Sequence, residues 1–218
     1  MIVGVPRFRS LSLDLMRSLV RSPKVLIYPE FVDFKRALLR GDIKGYVDRL
    51  MKLVSLGYAA VAVWPDRCYD RCLDLLRSVL DRVIWIFPLH EREEIVWVLS
   101  RFDSKVPEYV IGFPNRRDLR DYDLLWLYST CSQHGLKMWL MGLKPRFYNS
   151  LWRFWGCDVT TFSVSGYSFD RARYRSPSIS FAEIMSCFVT YLAEHGRALT
   201  FEEIMKRVRR GEFSVGQR

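Results

Sequence analysis

The sequence predicts an α/β fold, a small or incomplete (β/α) barrel of the TIM type followed by C-terminal helices. Three observations lead to this prediction. Short, nearly continuous apolar runs alternate with stretches of helical spacing, which is typical of parallel strands buried on both faces. Polar or turn residues follow most of the runs, as they do at the mouth of a barrel. No GxGxxG follows the first strand and no GxxxxGK[ST] occurs, which weakens a doubly wound nucleotide-binding sheet.

The apolar runs predict strands at residues 2–5, 25–28, 59–64, 83–87, 109–113, 137–141 and 159–164. Helical spacing predicts helices at residues 43–56, 69–80, 91–99, 122–133, 146–155, 181–194 and 201–210. Thr200 and Glu203 have the spacing of a capping box at the start of the last helix. We therefore expect a barrel domain over residues 1–170 and a basic helical extension over residues 171–218.

The composition favours an anionic partner. The 218 residues include 34 Lys and Arg against 24 Asp and Glu, a net charge of +10. Such an excess attracts nucleic acid, phosphorylated ligands or an anionic membrane surface. No apolar run approaches the roughly 20 residues that span a bilayer, and charge follows the first apolar stretch, the reverse of a secretory signal. The expectation is a cytoplasmic protein that does not enter a membrane.

The cysteines predict neither a disulfide framework nor a metal site. Five cysteines are an odd number in a chain without an export signal. Cys68 and Cys72 are one helical turn apart, but no second pair and no nearby histidine complete a zinc set. We therefore expect small buried cysteines, no metal and no cofactor.

Candidate site residues follow the predicted strands. The carboxyl ends of parallel strands form the ligand site in α/β folds, so we expect these side chains to converge: Glu30, Asp66, His90, Asn115 and Lys144. Asp33 could supply a second carboxylate beside Glu30. The alternative is that proline and glycine end each strand and solvated polar residues simply follow.

Asp66 and His90 are the sharpest of these candidates. An Asp66 carboxylate could accept two hydrogen bonds from a purine, and His90 could act as a base near neutral pH. The alternatives are that Asp66 caps the following helix and that His90 is an ordinary loop residue. Asp158 is a further carboxylate, which could equally cap a turn.

Several segments resemble the tRNA-guanine transglycosylase superfamily, including its relatives that insert 7-deazaguanines into DNA. The resemblance spans roughly residues 25–170 and lies in short motifs at residues 39–46, 64–66, 84–90, 110–114, 137–145 and 156–162. It implies a barrel and a base-exchange reaction on RNA or DNA. It also implies that Asp66 recognises the base. In the hypothesis that follows from it, Gly112 lets backbone approach the ligand, Lys144 with Arg146 holds phosphate, and Gly142 is a further substrate contact.

The sequence departs from the family pattern at its nucleophile. The family's nucleophilic aspartate falls on Thr161, and a threonine hydroxyl is a poor nucleophile without an activating base. Another carboxylate, Asp66 or Asp158, would then have to stabilise a positively charged sugar centre. The family's zinc-binding cysteine set is also missing. The barrel could therefore be kept without the covalent mechanism, so catalysis itself stays open.

Basic clusters predict a nucleic-acid surface. Lysine and arginine neutralise phosphates, and exposed aromatic rings stack on bases. The expected contacts are Arg171, Arg173, Arg175, Lys206, Arg207 and Arg210. Trp152 and Trp155 recur at helical spacing and are instead expected in the core.

The leading functional hypothesis is a transglycosylase-like protein that performs purine or 7-deazaguanine exchange, or other glycosidic-bond chemistry, on nucleic acid. Asn115 and Thr161 complete the expected substrate contacts. The alternative is a non-catalytic nucleic-acid-binding or assembly protein on the same scaffold. A third option is a barrel that binds a small phosphorylated molecule. The sequence leaves the oligomeric state, the substrate base and the choice between RNA and DNA open.

Overall fold

A computed structural model describes residues 1–5, 17–18, 20, 22–33, 41–66, 68–114, 121–159 and 181–212. Strands and helices alternate along it, so the α/β class with C-terminal helices is confirmed. The strands are β1 Ile2–Val5, β2 Val25–Ile27, β3 Phe31–Val32, β4 Val61–Val63, β5 Ile84–Pro88, β6 Tyr109–Pro114, β7 Met138–Met141 and β8 Gly156–Asp158. The α-helices are α1 Ile43–Ser55, α2 Asp70–Leu75, α3 Glu94–Trp97, α4 Asp121–Gln133, α5 Phe181–His195 and α6 Phe201–Arg209.

Three further helical segments are not α-helical. Short 3₁₀ helices occupy Arg77–Val79 and Pro145–Arg153, and a π-helix covers Val98–Phe102 directly after α3. The helix predicted at residues 91–99 is therefore α-helical over only four residues. None of the helices in the described ranges is both long and apolar enough to cross a bilayer.

The chain divides into two compact units, which we call the central unit (Tyr28–Met141) and the terminal unit (Met1–Ile27 with Gly142–Arg218). The central unit contains five parallel strands in the order β3-β4-β5-β6-β7. Among its described residues, the terminal unit contains three parallel strands in the order β2-β1-β8. The predicted domain boundary at residue 170 lies outside the described residues.

The sheet of the central unit is strongly curved. Its edge strands, β3 and β7, are four steps apart, which is about 19 Å in a flat sheet at about 4.8 Å a step. The rings of Phe31 on β3 and Trp139 on β7 nevertheless stack with their centroids 5.6 Å apart. Two side chains cannot reach across a flat sheet of that width. The sheet therefore curls around a core that these buried rings fill.

Hydrogen bonds hold the two C-terminal helices, α5 and α6, in the terminal unit. The Met1 amine donates a hydrogen bond to the Ala193 carbonyl of α5 at 3.1 Å. The predicted capping box is confirmed at the start of α6: the Thr200 hydroxyl accepts from the Glu203 amide, and the Glu203 carboxylate accepts from the Thr200 amide. These bonds satisfy two backbone donors that a helix start leaves unpaired.

One strand prediction was wrong in detail, and another extends beyond the described residues. A single strand at residues 25–28 was expected, but the chain forms β2, turns at the cis peptide before Pro29, and starts β3 only two residues later. The last strand was expected at residues 159–164, of which 160–164 lie outside the described residues; the strand described next to them is β8, which ends at Asp158. Polar Asp158 is the end of that strand and does not precede it, and Val159 follows it with its backbone amide bonded to Gly4.

The expectation of free cysteines was wrong for one pair. Cys68 and Cys72 form a disulfide, with their Cα atoms 5.4 Å apart. Cys68 lies in the loop before α2, and Cys72, four residues later, lies in the first turn of that helix. Cys131, Cys157 and Cys187 are buried free thiols. Burial raises the pKa of Cys131 and of Cys187 to about 12, and raises that of Cys157 strongly.

We predict a different number of reactive thiols in the native protein, in the unfolded protein, and in the unfolded protein with reductant. The native protein at pH 8 should give no fast reaction with a disulfide reagent such as DTNB, because thiolates react and all three free thiols are buried. Unfolding in guanidinium should expose three thiols, and added reductant should expose five. A count of five without reductant would contradict the disulfide. Burial raises the thiol pKa values, so the unfolded chain loses its thiol protons at a lower pH than the folded protein does. The free energy of unfolding should therefore fall as pH rises from about 9 towards 12.

Candidate functional site

The turn after β4 fixes the position of Asp66. Trp64, only 1% exposed, follows the strand and donates its indole N–H to the Cys68 carbonyl at 2.9 Å. The Cys68 amide in turn donates to the Pro65 carbonyl at 3.3 Å. The disulfide ties the end of this turn to α2. The side chain of Asp66 is 48% exposed and lies at the carboxyl edge of the central sheet.

Glu94 fixes the turn after β5, which contains His90. One Glu94 oxygen accepts the backbone amides of His90 at 2.5 Å and Glu91 at 3.0 Å. The other accepts the Tyr69 hydroxyl at 2.7 Å. One carboxylate therefore joins the His90 turn to the residue that precedes α2. Sequence reasoning did not single out Glu94, although a glutamate four residues after the strand-end histidine is visible in the sequence.

Asp66 and His90 meet. His90 Nε2 lies 3.1 Å from Asp66 Oδ1, an ion-pair distance without hydrogen-bond alignment. The imidazole is 22% exposed and its Nε2 atom is buried, whereas the Asp66 side chain is 48% exposed, so solvent or a ligand can reach the pair from the Asp66 side. The alternative that Asp66 caps the next helix is wrong, because α2 begins at Asp70 with Tyr69 at its N-cap. An imidazole beside a carboxylate can accept or donate a proton while the carboxylate stabilises the charged ring.

Tyr46 of α1 links Asp66 to Asp33. The fully buried Tyr46 hydroxyl donates to the Val63 carbonyl at the end of β4. Burial raises the pKa of Tyr46 well above its usual value, and the negative charges of Asp33 and Asp66 add to the shift. Both carboxylates therefore act on one phenol, and Asp33, which follows β3, belongs to the same edge of the sheet as Asp66.

A shallow, open cleft adjoins His90. Its lining residues are Leu89, His90, Glu91, Arg92, Phe113, Pro114, Asp123, Trp126 and Leu127. The Arg92 guanidinium lies 4.7 Å from the centre of the Trp126 ring and 3.2 Å from Asp123 Oδ1. Sequence reasoning missed these three residues, because Arg92 lies in the turn before α3 and the other two lie on α4, and nothing in the sequence indicates that the two segments meet.

Two predicted site residues of the central unit have other positions. Glu30 precedes β3, and its carbonyl accepts the amides of Ala60 and Val61 at the start of β4. It therefore lies at the amino edge of this sheet, opposite Asp66. Gly112 is inside β6, where a Cβ atom would lie 2.8 Å from Met141 Sδ. Neighbouring side chains, and not a ligand, occupy the space beside this glycine.

The remaining candidates belong to the terminal unit or lie outside the described residues. Gly142 has a positive φ of 79° directly after β7, which explains a glycine at this turn. Asp158 ends β8, and its carbonyl accepts the Leu143 amide at 2.8 Å. Lys144 and Arg146 are exposed at the start of the second 3₁₀ helix. The residues outside the described ranges are Asn115, Thr161, Arg171, Arg173 and Arg175.

The basic residues of α6 divide into two groups. Lys206 and Arg210 are exposed and line an open groove with Phe201 and Met205. Arg207 instead pairs with Glu212 at 3.1 Å and packs over the Tyr191 ring. Lys206 and Arg210 are thus accessible to solvent, whereas Arg207 is engaged within the unit. In the described part of the chain, no three His, Cys, Asp or Glu side chains are grouped as metal ligands.

Trp152 was expected in the core, and this was wrong. Trp152 is 65% exposed, although Phe147 and Leu151 of the same 3₁₀ helix are buried. The error came from applying α-helical spacing to a segment with three residues a turn. Trp155, also expected in the core, is partly exposed.

No protein-family model matches the sequence. The chain is similar to ORF192, an uncharacterized protein of Acidianus two-tailed virus, with 26% identity over 152 residues. That match covers 66% of this chain and 72% of the viral protein. Because the viral protein is itself uncharacterized, the similarity assigns no activity.

Proposed function

We propose that the protein binds nucleic acid and acts on the glycosidic bond of a purine or 7-deazaguanine nucleotide, with Asp66 and His90 at the reacting centre. The observation that supports this best is the 3.1 Å approach of His90 to Asp66 beside an aromatic cleft at the carboxyl edge of a parallel sheet. Ligands of α/β folds bind at that edge. The proposal includes the (β/α) barrel expected from the sequence, which the parallel strand order and the curved central sheet favour.

The chemistry assigns a separate task to each group. As the bond from C1′ to the base nitrogen breaks, its electron pair passes to the nitrogen, and protonated His90 donates a proton there. Asp66 orients the imidazole and stabilises its charge. Asp33, at the same edge, stabilises the positive charge that develops at C1′. In base exchange the incoming base then attacks C1′ and returns its proton to His90.

The cleft beside His90 suits a flat heterocycle. Trp126 is partly exposed and offers aromatic surface, and base–aromatic stacking is worth about 1–3 kcal/mol per base. Arg92 lies over Trp126 and is half exposed, so it can also contact a carbonyl or phosphate oxygen of the bound nucleotide. The cleft would therefore orient the base whose bond to the sugar is broken.

A non-catalytic nucleic-acid-binding protein is the second candidate. Thr161 at the position of the family's nucleophile favours it, as does the net charge of +10. This candidate predicts salt-sensitive binding without base exchange. A protein that binds only a small phosphorylated molecule predicts no affinity for oligonucleotides.

Asp66→Asn and His90→Gln should each lower base exchange by about 10²–10⁴-fold, the usual contribution of a general acid or base. The measurement is incorporation of radiolabelled guanine or a 7-deazaguanine into RNA and into DNA. Asp66 is half exposed, so Asp66→Asn should lower the free energy of unfolding by no more than about 0.5 kcal/mol, whereas His90→Gln, at the more buried residue, should lower it by about 1 kcal/mol. Asp74→Asn is the matched control, since Asp74 is a 74%-exposed carboxylate paired with Arg77.

The outcomes separate the candidates. Exchange that both variants abolish and the control retains supports the proposal. Wild-type binding to oligonucleotides without exchange overturns catalysis in favour of the binding protein. No oligonucleotide binding at low salt overturns both.

A further inference from the structure

The second 3₁₀ helix, Pro145–Arg153, presents a line of three exposed residues. Residues three apart eclipse one another in a 3₁₀ helix and are about 6 Å apart along its axis, at about 2 Å a residue. Arg146, Asn149 and Trp152 have this spacing and are all exposed. Phe147 and Leu151 are buried on the other side at 4% and 1% exposure. We call the exposed line the 146–152 face.

Trp152 is an unusual side chain to leave in solvent. At 65% exposure it is among the most exposed large apolar residues in the described ranges. The Arg153 guanidinium packs 4.2 Å from the centre of its ring. The Arg146 guanidinium similarly packs 4.6 Å from the centre of the buried Phe147 ring. Aromatic rings therefore orient both arginines, and most of the indole stays accessible.

The charged side chains of this segment are all basic. Residues 142–157 include Lys144, Arg146 and Arg153 but no aspartate or glutamate. A cationic segment with a single exposed aromatic ring matches what single-stranded nucleic acid requires, namely phosphate neutralisation and base stacking. A membrane surface would require more apolar side chains on the exposed side, and here the apolar neighbours are buried.

We propose that the 146–152 face binds single-stranded nucleic acid, with Trp152 stacked on a base, Asn149 hydrogen-bonded to a base edge or sugar and Arg146 on a phosphate. The inference shares with the proposed function only the class of partner. It does not depend on Asp66, His90 or catalysis. A stacked base requires an unpaired strand, so the face should discriminate single strands from duplexes.

Fluorescence anisotropy with a labelled 12-nucleotide oligothymidine strand and a duplex of the same length tests this inference. Trp152→Ala should weaken single-strand binding by about 5- to 150-fold, the range that one stacked base provides. Trp152→Phe should recover most of the loss. Arg146→Ala should lower the slope of log affinity against log salt concentration by about 0.7, the value for one phosphate contact on a single strand.

Tyr58→Ala and Arg77→Ala are the matched controls, since both residues are exposed in the central unit. The unfolding midpoint of Trp152→Ala should equal that of the wild type. Unchanged single-strand affinity of Trp152→Ala, or an equal loss for duplex, would overturn the inference. Tighter binding to vesicles containing phosphatidylserine than to the oligonucleotide, or binding only to a protein partner, would also overturn it.

The two proposals fail separately. Asp74→Asn, at an exposed carboxylate outside both sites, should bind the single strand as the wild type does. If no base exchange is found while Trp152→Ala still loses single-strand affinity, the proposed reaction is wrong and the binding face stands. If exchange is found and Trp152→Ala binds normally, the reaction stands and this face is wrong.

Discussion

Replacing Trp64 by alanine is expected to lower the free energy of unfolding by about 3–5 kcal/mol, the cost usual for a buried tryptophan. Its ring makes edge contacts with Trp85 at 5.1 Å and Phe102 at 4.8 Å, and each aromatic pair is worth about 0.5–1.5 kcal/mol beyond its buried area. The substitution also leaves the Cys68 carbonyl without its indole donor. Against a typical total stability of about 5–15 kcal/mol, this loss is severe.

Urea unfolding followed by circular dichroism measures this effect. Trp64→Phe separates its two sources, because it keeps ring contacts and removes the indole hydrogen bond, worth about 1 kcal/mol. Trp152→Ala is the matched control at an exposed tryptophan, where the change should stay within about 0.5 kcal/mol. Equal losses for Trp64→Ala and Trp152→Ala would contradict the burial difference between the two residues.

Replacing Gly112 by alanine is expected to cost about 1–3 kcal/mol, the range for overpacking a well-filled core. A methyl group added to this glycine would lie 2.8 Å from Met141 Sδ, 2.9 Å from Ile86 Cγ2 and 3.2 Å from the Phe87 carbonyl oxygen. The first two atoms belong to side chains of neighbouring strands, β7 and β5. Met141 is partly exposed and flexible, whereas Ile86 is buried and the Phe87 oxygen belongs to the backbone, so the last two cannot move away without disturbing the core.

A double-mutant cycle with Met141→Ala identifies the cause. Truncating Met141 removes the closest obstructing atom, so the double variant should be more stable than the sum of the single losses predicts. Additive losses would show that Met141 is not the obstacle. An unchanged urea midpoint for Gly112→Ala, together with weakened oligonucleotide binding, would restore the ligand-approach role expected from the resemblance.

The parallel strands could be predicted from the sequence because strands buried on both faces form continuous apolar runs. The meeting of Asp66 and His90 could be predicted for the related reason that the carboxyl ends of adjacent parallel strands lie at one edge. Their roles in a reaction remain a proposal. Glu30 was misplaced because β3, only two residues long, shows no periodicity and begins immediately after it.

Other features depend on contacts that sequence spacing does not record. The Arg92–Asp123 pair joins residues 31 apart in the chain. The Cys68–Cys72 bond depends on the backbone path before α2, since the same spacing inside a continuous helix would present two unconnected thiols. Trp152 was misassigned because 3₁₀ geometry shifts each residue by 20° from its α-helical position (120° against 100° a residue).

The bond between Cys68 and Cys72 also has a practical consequence for handling the protein. A reductant in a purification buffer would cut the covalent tie that restrains the turn containing Asp66, while leaving the sheet beneath it intact. Samples prepared with and without dithiothreitol would then differ in the mobility of one acidic side chain and hardly at all in their bulk spectra. The presence or absence of reductant in the storage buffer should therefore be kept constant when preparations are compared.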